Sequence, residues 1–373
     1  LAATQQLRLA IDATSLLGTR TGVGQVTAAL IDALAGRDDV DLAAYAVTWK
    51  GRHDLAASLP AGVSAATAPF PARLTRLLWP KVAFPRVERW TGPVDVVHAT
   101  NFVAPPSRAP VVLTIHDLTV VHFPEMCTRD TLTYPHLIRV AIDRGATIHT
   151  FSEFVANETR EHFGVPAERV VCIPPGIAAT EQGDAPLGRS RAGADRYVLA
   201  LGTVEPRKNL PALVRAFDRV ASGDPEVSLV LAGPDGWGVD DLDEAVRAAG
   251  HADRIRRLPY QDDAQRRDLL AGASVLAYPS VYEGFGHPPL EAMRAGVPVV
   301  ASNAGPLPEV LGDAALLPDP RDIDAIADAL DRVLRDDTLR AELTTRGRAR
   351  AARYTWTAAA DAFAALYQRV AAG

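Results

Sequence analysis

Short apolar runs alternate with amphipathic stretches along the whole chain, and this alternation predicts its architecture. In the first half the runs Leu9–Ile11, Leu42–Val47, Val94–His98, Val111–Ile115, Thr147–Phe151 and Val170–Ile173 read as strands, with a helix over Val26–Leu34. Turn residues follow each run, and in most cases a helical pattern comes next. Residues 179–195 break the rhythm: they are polar and rich in small residues, and read as a linker. The rhythm then restarts. Strands are expected at Tyr197–Leu201, Ser228–Ala232, Ile255–Leu258, Ser274–Tyr278 and Val299–Ala301. Helices are expected at Leu210–Ala221, Val239–Ala249, Asp263–Ala271, Pro289–Ala295, Asp322–Leu334 and Leu339–Ala351. Such a pattern implies parallel sheets with helices on both faces. The expected fold class is therefore α/β, with two doubly wound, Rossmann-like units at 1–178 and 196–353. Ligands of such sheets sit beyond the carboxyl ends of the strands, and a cleft between two units is a usual small-molecule site. Residues 354–373 read as a last helix offering Trp356, Phe363, Leu366 and Tyr367 for packing. No strand follows it, so it is expected to cross back to the first unit.

The bulk numbers narrow the partners. A chain of 373 residues exceeds what one core normally supports. Its formal charge of −6 argues against a nucleic-acid partner. Cys127 and Cys172 are too few for a disulfide framework or a zinc site, and fit a reducing cytoplasm. No apolar run approaches the roughly 20 residues that span a bilayer. The opening LAATQQLRLA does not read as a signal peptide, so a cytoplasmic protein is expected.

The most informative segment runs from Pro279 to Val310. After the strand ending at Tyr278 comes a loop holding Glu283, Gly284, Phe285 and Gly286. Pro288 and Pro289 then open a helix that carries Leu290 and, in its first turn, Glu291. N–H groups at a helix start suit a diphosphate, and glycines let the backbone approach a ligand. Ionised carboxylates accept hydrogen bonds, which suits them to hydroxyl groups. Taken alone, Glu291 reads equally as a residue favoured by the helix dipole, worth about 0.3–1 kcal/mol. A second element, GTVEPRKNL, places Arg207 and Lys208 just before the next helix, where they suit a diphosphate. Gly233 opens a turn after a strand, and Leu258 and Tyr260 flank the end of another.

In the first half, Gly22 and Gly24 lie between the first strand and its helix. The dinucleotide-binding pattern needs a third glycine where Thr27 stands, which speaks against a nicotinamide domain. His116 closes a strand in TIHDL, where it suits donating a hydrogen bond to a sugar hydroxyl. His98 closes another strand, with a structural or an acceptor-facing role open. Ser152 is placed to cap a helix. The stretch Arg73–Trp90 combines basic and aromatic residues. It reads as a helical hairpin with aromatics in the core, or else as a surface for peripheral membrane contact.

Glu283 and Glu291, with seven residues between them, resemble the paired-glutamate motif of retaining glycosyltransferase family four. The resemblance extends to GTVEPRKNL, the first glycine loop and the strand-end histidine. It implies a GT-B fold, with two Rossmann-like domains facing a central cleft. It implies that Glu283 contacts the donor sugar and Glu291 the ribose hydroxyls. The backbone of Phe285 and Gly286 would face sugar and phosphates, in a donor site that also includes Gly284, Pro289 and Leu290. Gly22, Gly24, Gly233, Leu258 and Tyr260 would complete that site. His116, Arg207 and Lys208 would join Glu283 in the chemistry. Two positions depart from the family wording: His287, where Leu or Met is common, and Thr203, where many members carry a second arginine.

No cofactor or metal is expected. Asp241 with Asp243 and Asp322 with Asp324 have a metal-site spacing but fall at expected helix starts, where aspartate caps. The wording most resembles bacterial mannosyl- and rhamnosyltransferases of surface polysaccharides. GDP-mannose is the expected donor, and a glycan, lipid-linked or small-molecule compound the acceptor. The competing readings are another GT-B enzyme such as a sugar-nucleotide epimerase, and a nucleotide-sugar-binding protein without turnover.

Overall fold

A computed structural model describes residues 6–18, 22–49, 51–178 and 182–373, leaving the side chains of residues 72 and 73 undescribed. The chain divides into two compact units, Leu1–Ala178 with Thr355–Gly373, and Ala179–Tyr354.

The first unit is built on strands β1 (Leu7–Asp12), β2 (Val40–Val47), β3 (Ser64–Ala68), β4 (Val96–Ala99), β5 (Val111–Ile115), β6 (Thr147–Thr150) and β7 (Val170–Cys172). They form one parallel sheet in the order β3-β2-β1-β4-β5-β6-β7. The central strands β4 and β5 are almost wholly buried and are apolar except for His98 and Thr114. β3 is an edge strand of sequence SAATA, and its small residues gave no strand signal. The first helix, Gly22–Ala35, starts four residues before Val26, so Gly22 and Gly24 belong to a helix rather than to the loop before it. The three residues preceding Gly22 lie outside the described part.

The helix Trp356–Ala372 belongs to this unit. Thr355 caps it, accepting from Ala358 N–H at 3.2 Å. Phe363, Leu366 and Tyr367 are buried with Leu9, Ile11, Ile31 and Leu34 in one core. Burying Phe363 and Leu366 stabilises the unit by about 1.5–3 kcal/mol each.

The second unit carries β8 (Arg196–Leu201), β9 (Val227–Ala232), β10 (Ile255–Leu258), β11 (Val275–Tyr278) and β12 (Val299–Ala301). These form a second parallel sheet, ordered β10-β9-β8-β11-β12. Its core joins Val198, Leu229 and Val275 to Phe217, Leu330 and Val333.

The expected linker is corrected here. Within it lies a helix, Ala185–Ala192, capped by Asp184, which accepts from Leu187 N–H at 2.9 Å. The helix packs on Asp263–Gly272, and Asp184 N–H donates to Asp268 Oδ1 at 2.9 Å. Gly188 is buried so closely against Asp268 that an added Cβ would lie 1.9 Å from its carbonyl oxygen. The small residues serve this close helix contact rather than flexibility. The part of the expected linker at 179–181 lies outside the described residues.

The basic, aromatic stretch divides between its two readings. It forms a helix, Ala72–Leu78, and a short helix, Glu88–Thr91. Trp79 is buried in the core, but Phe84 is 62% exposed, against the expectation of buried aromatics. Leu74, Leu77, Leu78 and Val82 are also exposed. Among the described residues, no helix is long and apolar enough to cross a membrane.

Candidate active site

The centre of the second unit is a cluster of charges beyond the carboxyl ends of β8 and β11. These strands are neighbours in the sheet, so their following loops meet. Val281 N–H donates to Arg207 O at 2.8 Å. Asn209, in the left-handed conformation before the helix Leu210–Gly223, donates from Nδ2 to Pro320 O at 2.7 Å and Pro279 O at 3.3 Å. The two loops are thereby fixed to each other through the backbone.

Five side chains converge on this frame. Arg207 Nη1 donates to Glu283 Oε2 at 2.6 Å, and Lys208 Nζ donates to Glu283 Oε1 at 2.6 Å. Lys208 Nζ also donates to Tyr278 Oη at 2.6 Å, and Arg207 Nε donates to Glu205 Oε2 at 2.7 Å. Burial alone would raise the pKa of Glu283, but Arg207 and Lys208 overcome it and hold the carboxyl at about 2. Burial pushes Lys208 down, opposed by the Glu283 charge. Burial pushes the Tyr278 hydroxyl well up, and Glu283 adds to the effect.

The sequence places Arg207 and Lys208 as cations available to a diphosphate. In the structure two carboxylates, Glu283 and Glu205, already balance their two charges. Lys208 uses two of its three N–H donors within the cluster. Its side chain lines a hollow shared with Gly202, Thr203, Gly233 and Arg257. Gly233 is there for a packing reason: its Cβ would lie 2.0 Å from Gly202 O. Its N–H donates to Leu258 O at 3.0 Å, tying the end of β9 to the end of β10. Leu258 is half-buried there, while Tyr260 is exposed.

The helix after the glycine loop begins at His287, with Gly286 before it at φ 106°, a conformation that favours glycine. Glu291 consequently stands in the second turn, not the first. Pro288 and Pro289 have no N–H, so two of the first four positions of the helix start have no donor to offer a ligand. This anion site is thinner than the sequence suggested. Pro289, Leu290 and Phe285 are buried, and Phe285 makes edge contacts with His287 and Tyr354 at 5.2 and 5.6 Å. These three side chains pack the unit, which leaves only their backbones for a ligand. Glu291 accepts from Arg266 Nη2 at 3.1 Å. Burial pushes its pKa up, and Arg266 opposes the shift.

In the first unit, His116 is half-buried just beyond β5. Its Nε2 lies 2.8 Å from Thr100 O, and a carbonyl only accepts, so Nε2 carries the proton. Burial pushes its pKa down, the Thr100 bond opposing, and the ring is neutral. Nδ1 is then an acceptor, which reverses the expected hydrogen bond to a sugar hydroxyl. Gly22 is exposed at the start of its helix, while Gly24 is buried. His98 is buried with both ring nitrogens hydrogen-bonded inside the unit, so its role is structural. Ser152 caps the helix Glu153–Phe163, as expected.

Sequence reasoning missed Glu205, Tyr278 and Arg266, whose partners are brought together by the fold. It also missed Asp12 at the end of β1, whose Oδ1 accepts from Thr14 N at 2.9 Å and Thr14 Oγ1 at 2.6 Å. The strand-end position in LAID was the available signal. Asp322 caps its helix, and Asp241 lies in the first turn of Val239–Ala248. No group of three or more His, Cys, Asp or Glu is placed to hold a metal among the described residues.

Comparison with known proteins agrees with this frame. Residues 20–181 match the family described as Glycosyltransferase Family 4, and residues 189–350 match Glycosyl transferases group 1. The chain is 36% identical over 269 residues to the O-antigen chain mannosyltransferase B of Escherichia coli, covering 70% of this chain and 71% of that protein. It is 31% identical over 329 residues to the phosphatidyl-myo-inositol mannosyltransferase of Mycolicibacterium smegmatis, covering 83% and 80%. The structure of Anabaena HepE in complex with UDP and glucose aligns with a TM-score of 0.72 at 19% identity, covering 98% and 100%. The two parallel-sheet units define a glycosyltransferase with the GT-B fold. The chain belongs to glycosyltransferase family four.

Proposed function

We propose that this enzyme transfers mannose from GDP-mannose to a glycan or lipid-linked acceptor, with retention of configuration and without a metal ion. The observation that carries the reading is Glu283, buried and ionised between Arg207 and Lys208 beyond the carboxyl ends of β8 and β11. Two similar proteins named as mannosyltransferases support the choice of sugar.

Glu283 orients the sugar through its hydroxyls, and Glu291 takes the ribose hydroxyls. Lys208 and Arg207 shift part of their hydrogen bonding to the diphosphate as negative charge develops on it. Preorganised charge of this kind stabilises the transition state. The bond from C1 to the phosphate oxygen breaks, and the acceptor oxygen bonds to C1 on the same face. The acceptor proton passes to the departing phosphate. His116 accepts a hydrogen bond from a hydroxyl of the transferred sugar.

Incubation with GDP-mannose, UDP-glucose and other nucleotide sugars, with lipid-linked and free glycan acceptors, tests the reading. A mannoside of retained configuration, formed equally in EDTA, is expected. Transfer from another donor, inversion, or loss of activity on chelation would each overturn the corresponding part.

The exposed apolar face around Ala72–Leu78 fits a lipid-linked acceptor. We assign it to an anionic bilayer surface, because Leu77 (64% exposed) and Phe84 are accompanied by exposed Lys81 and Arg89. Arg73 belongs to the same stretch, but its side chain lies outside the described part.

A further inference from the structure

A row of buried polar side chains crosses the first sheet and ends on the C-terminal helix. Tyr367 Oη lies 2.7 Å from His98 Nδ1, and His98 Nε2 lies 2.8 Å from Thr114 Oγ1. Thr114 Oγ1 lies 2.9 Å from His149 Nδ1, and His149 Nε2 lies 3.0 Å from Ile173 O. The row joins β4, β5 and β6 to the residue after β7.

Its polarity has one solution. Ile173 O only accepts, so His149 Nε2–H donates. Burial keeps both histidines neutral. His149 Nδ1 therefore accepts the Thr114 hydroxyl proton. Thr114 oxygen accepts from His98 Nε2–H, and His98 Nδ1 accepts from Tyr367 O–H. Every hydrogen bond points from the C-terminal helix toward β7. The Tyr367 hydroxyl is the donor that starts the row.

The neighbouring row contains His116. Residues two apart on a strand share a face. Two residues beyond His98, Thr114 and His149 stand Thr100, His116 and Phe151. Thr100 O takes the His116 proton, and the Phe151 ring lies 5.2 Å from the His116 ring. Phe151 also meets the His149 ring edge-on at 4.7 Å. The polar row thus ties together the three strand ends that hold His116 from both sides. Phe363 packs against His98 and His149 at 5.4 and 4.6 Å.

We propose that Tyr367, His98 and Thr114 are positioning residues for His116, the hydrogen-bonded row fixing the strand ends that set its place and its acceptor nitrogen. The consequence for catalysis rests on the function proposed above. A displacement near 1 Å of a group contacting substrate can cost on the order of a hundredfold in rate.

The test uses the full-length protein and the variants Thr114→Val, Thr114→Ser and Tyr367→Phe. Ring nitrogen shifts of His116, measured by 15N NMR without substrate, are expected to move in Thr114→Val and Tyr367→Phe, and to stay in place in Thr114→Ser. With GDP-mannose and acceptor, kcat is expected to fall about tenfold in Thr114→Val with donor KM nearly unchanged, and Thr114→Ser to restore it. In a His116→Ala background, Thr114→Val should add no further loss, since its effect runs through His116. Unmoved His116 signals in folded Thr114→Val and Tyr367→Phe would overturn the proposal. So would a full additional loss of rate in the His116→Ala background. Moved signals without any turnover of GDP-mannose would uphold the positioning role and overturn the donor assignment instead.

Discussion

Lys208 Nζ lies 2.6 Å from Glu283 Oε1, so the carboxylate assigned to the sugar is also the counter-charge of a residue assigned to the diphosphate. The two roles cannot be separated by mutation without disturbing the cluster. Glu283→Ala leaves Arg207 and Lys208 facing each other with only Glu205 to balance them. Breaking a buried pair in this way costs about 3–5 kcal/mol. The expected result is loss of transfer together with lowered thermal stability, while GDP still binds. Unchanged turnover in Glu283→Ala would sink the assignment.

The same pair gives an acid-sensitivity prediction. The folded pKa of Glu283 is held at about 2, below the ordinary value of about 4.3. The unfolded chain therefore takes up a proton first as pH falls. The stabilisation is complete above about pH 4.3 and is lost as pH drops through 2. Urea unfolding across this window should show a shallower pH slope in Glu283→Gln than in the parent. Identical slopes would mean that Glu283 is not ion-paired in solution.

Glu291 offers a cleaner test of donor binding, because its partner Arg266 lies on a separate helix, Asp263–Gly272. Hydrogen bonds to a charged acceptor contribute about 1.5–3 kcal/mol, roughly ten- to a hundred-and-fifty-fold in affinity. Calorimetry should find GDP binding to Glu291→Gln weakened within that range. A deoxyribose analogue lacking the 2′-hydroxyl should distinguish parent from variant less than GDP does. Equal affinity of parent and variant for GDP would place the ribose elsewhere.

The strand-end position of His116, and the loop after β11 that carries Glu283, were legible because the apolar rhythm marks where each strand stops. The paired-glutamate spacing singled out Glu283, which the structure places in the charge cluster, and Glu291, which it pairs with Arg266. What escaped was long-range pairing: Glu205 and Tyr278 gain meaning only when the loops after β8 and β11 meet, and Arg266 only when two helices pack. The supposed linker failed for a related reason. Small residues read the same in sequence whether they loosen a chain or let two helices touch, and Gly188 does the second. His98 likewise gave no sign of Tyr367, which lies 269 residues away.

The exposed face around Ala72–Leu78 predicts salt-sensitive binding to anionic lipid. Sedimentation with phosphatidylglycerol vesicles should carry the protein down at low salt, and phosphatidylcholine vesicles should not. Raising the salt toward 1 M, where the screening length falls to about 3 Å, should weaken the attraction. Leu77→Glu should reduce binding, since it puts a charge in the apolar face and repels the surface. Equal binding of parent and Leu77→Glu would assign the face to something other than a bilayer.

A second pH window belongs to the first unit and lies clear of Glu283. Burial holds His149 at about 3, with its hydrogen bond to Ile173 opposing the shift, and pushes His98 down as well. In the unfolded chain both titrate near 6.5. Between those values the unfolded state binds protons that the folded state refuses, so stability rises with pH. His149 should remove about 1.4 kcal/mol per pH unit as pH falls below 6.5, and His98 adds a loss of the same sign. Denaturant unfolding at pH 7.5 and 5.5 should show the loss. His149→Gln should reduce it without abolishing it, because His98 and His116, both pushed down by burial, remain. Glu283 stays ionised throughout this range, so the second unit's charge cluster does not contribute. A pH-independent stability between 7.5 and 5.5 would mean that these histidines are solvated or already protonated, and the single polarity deduced for the row would fail with it.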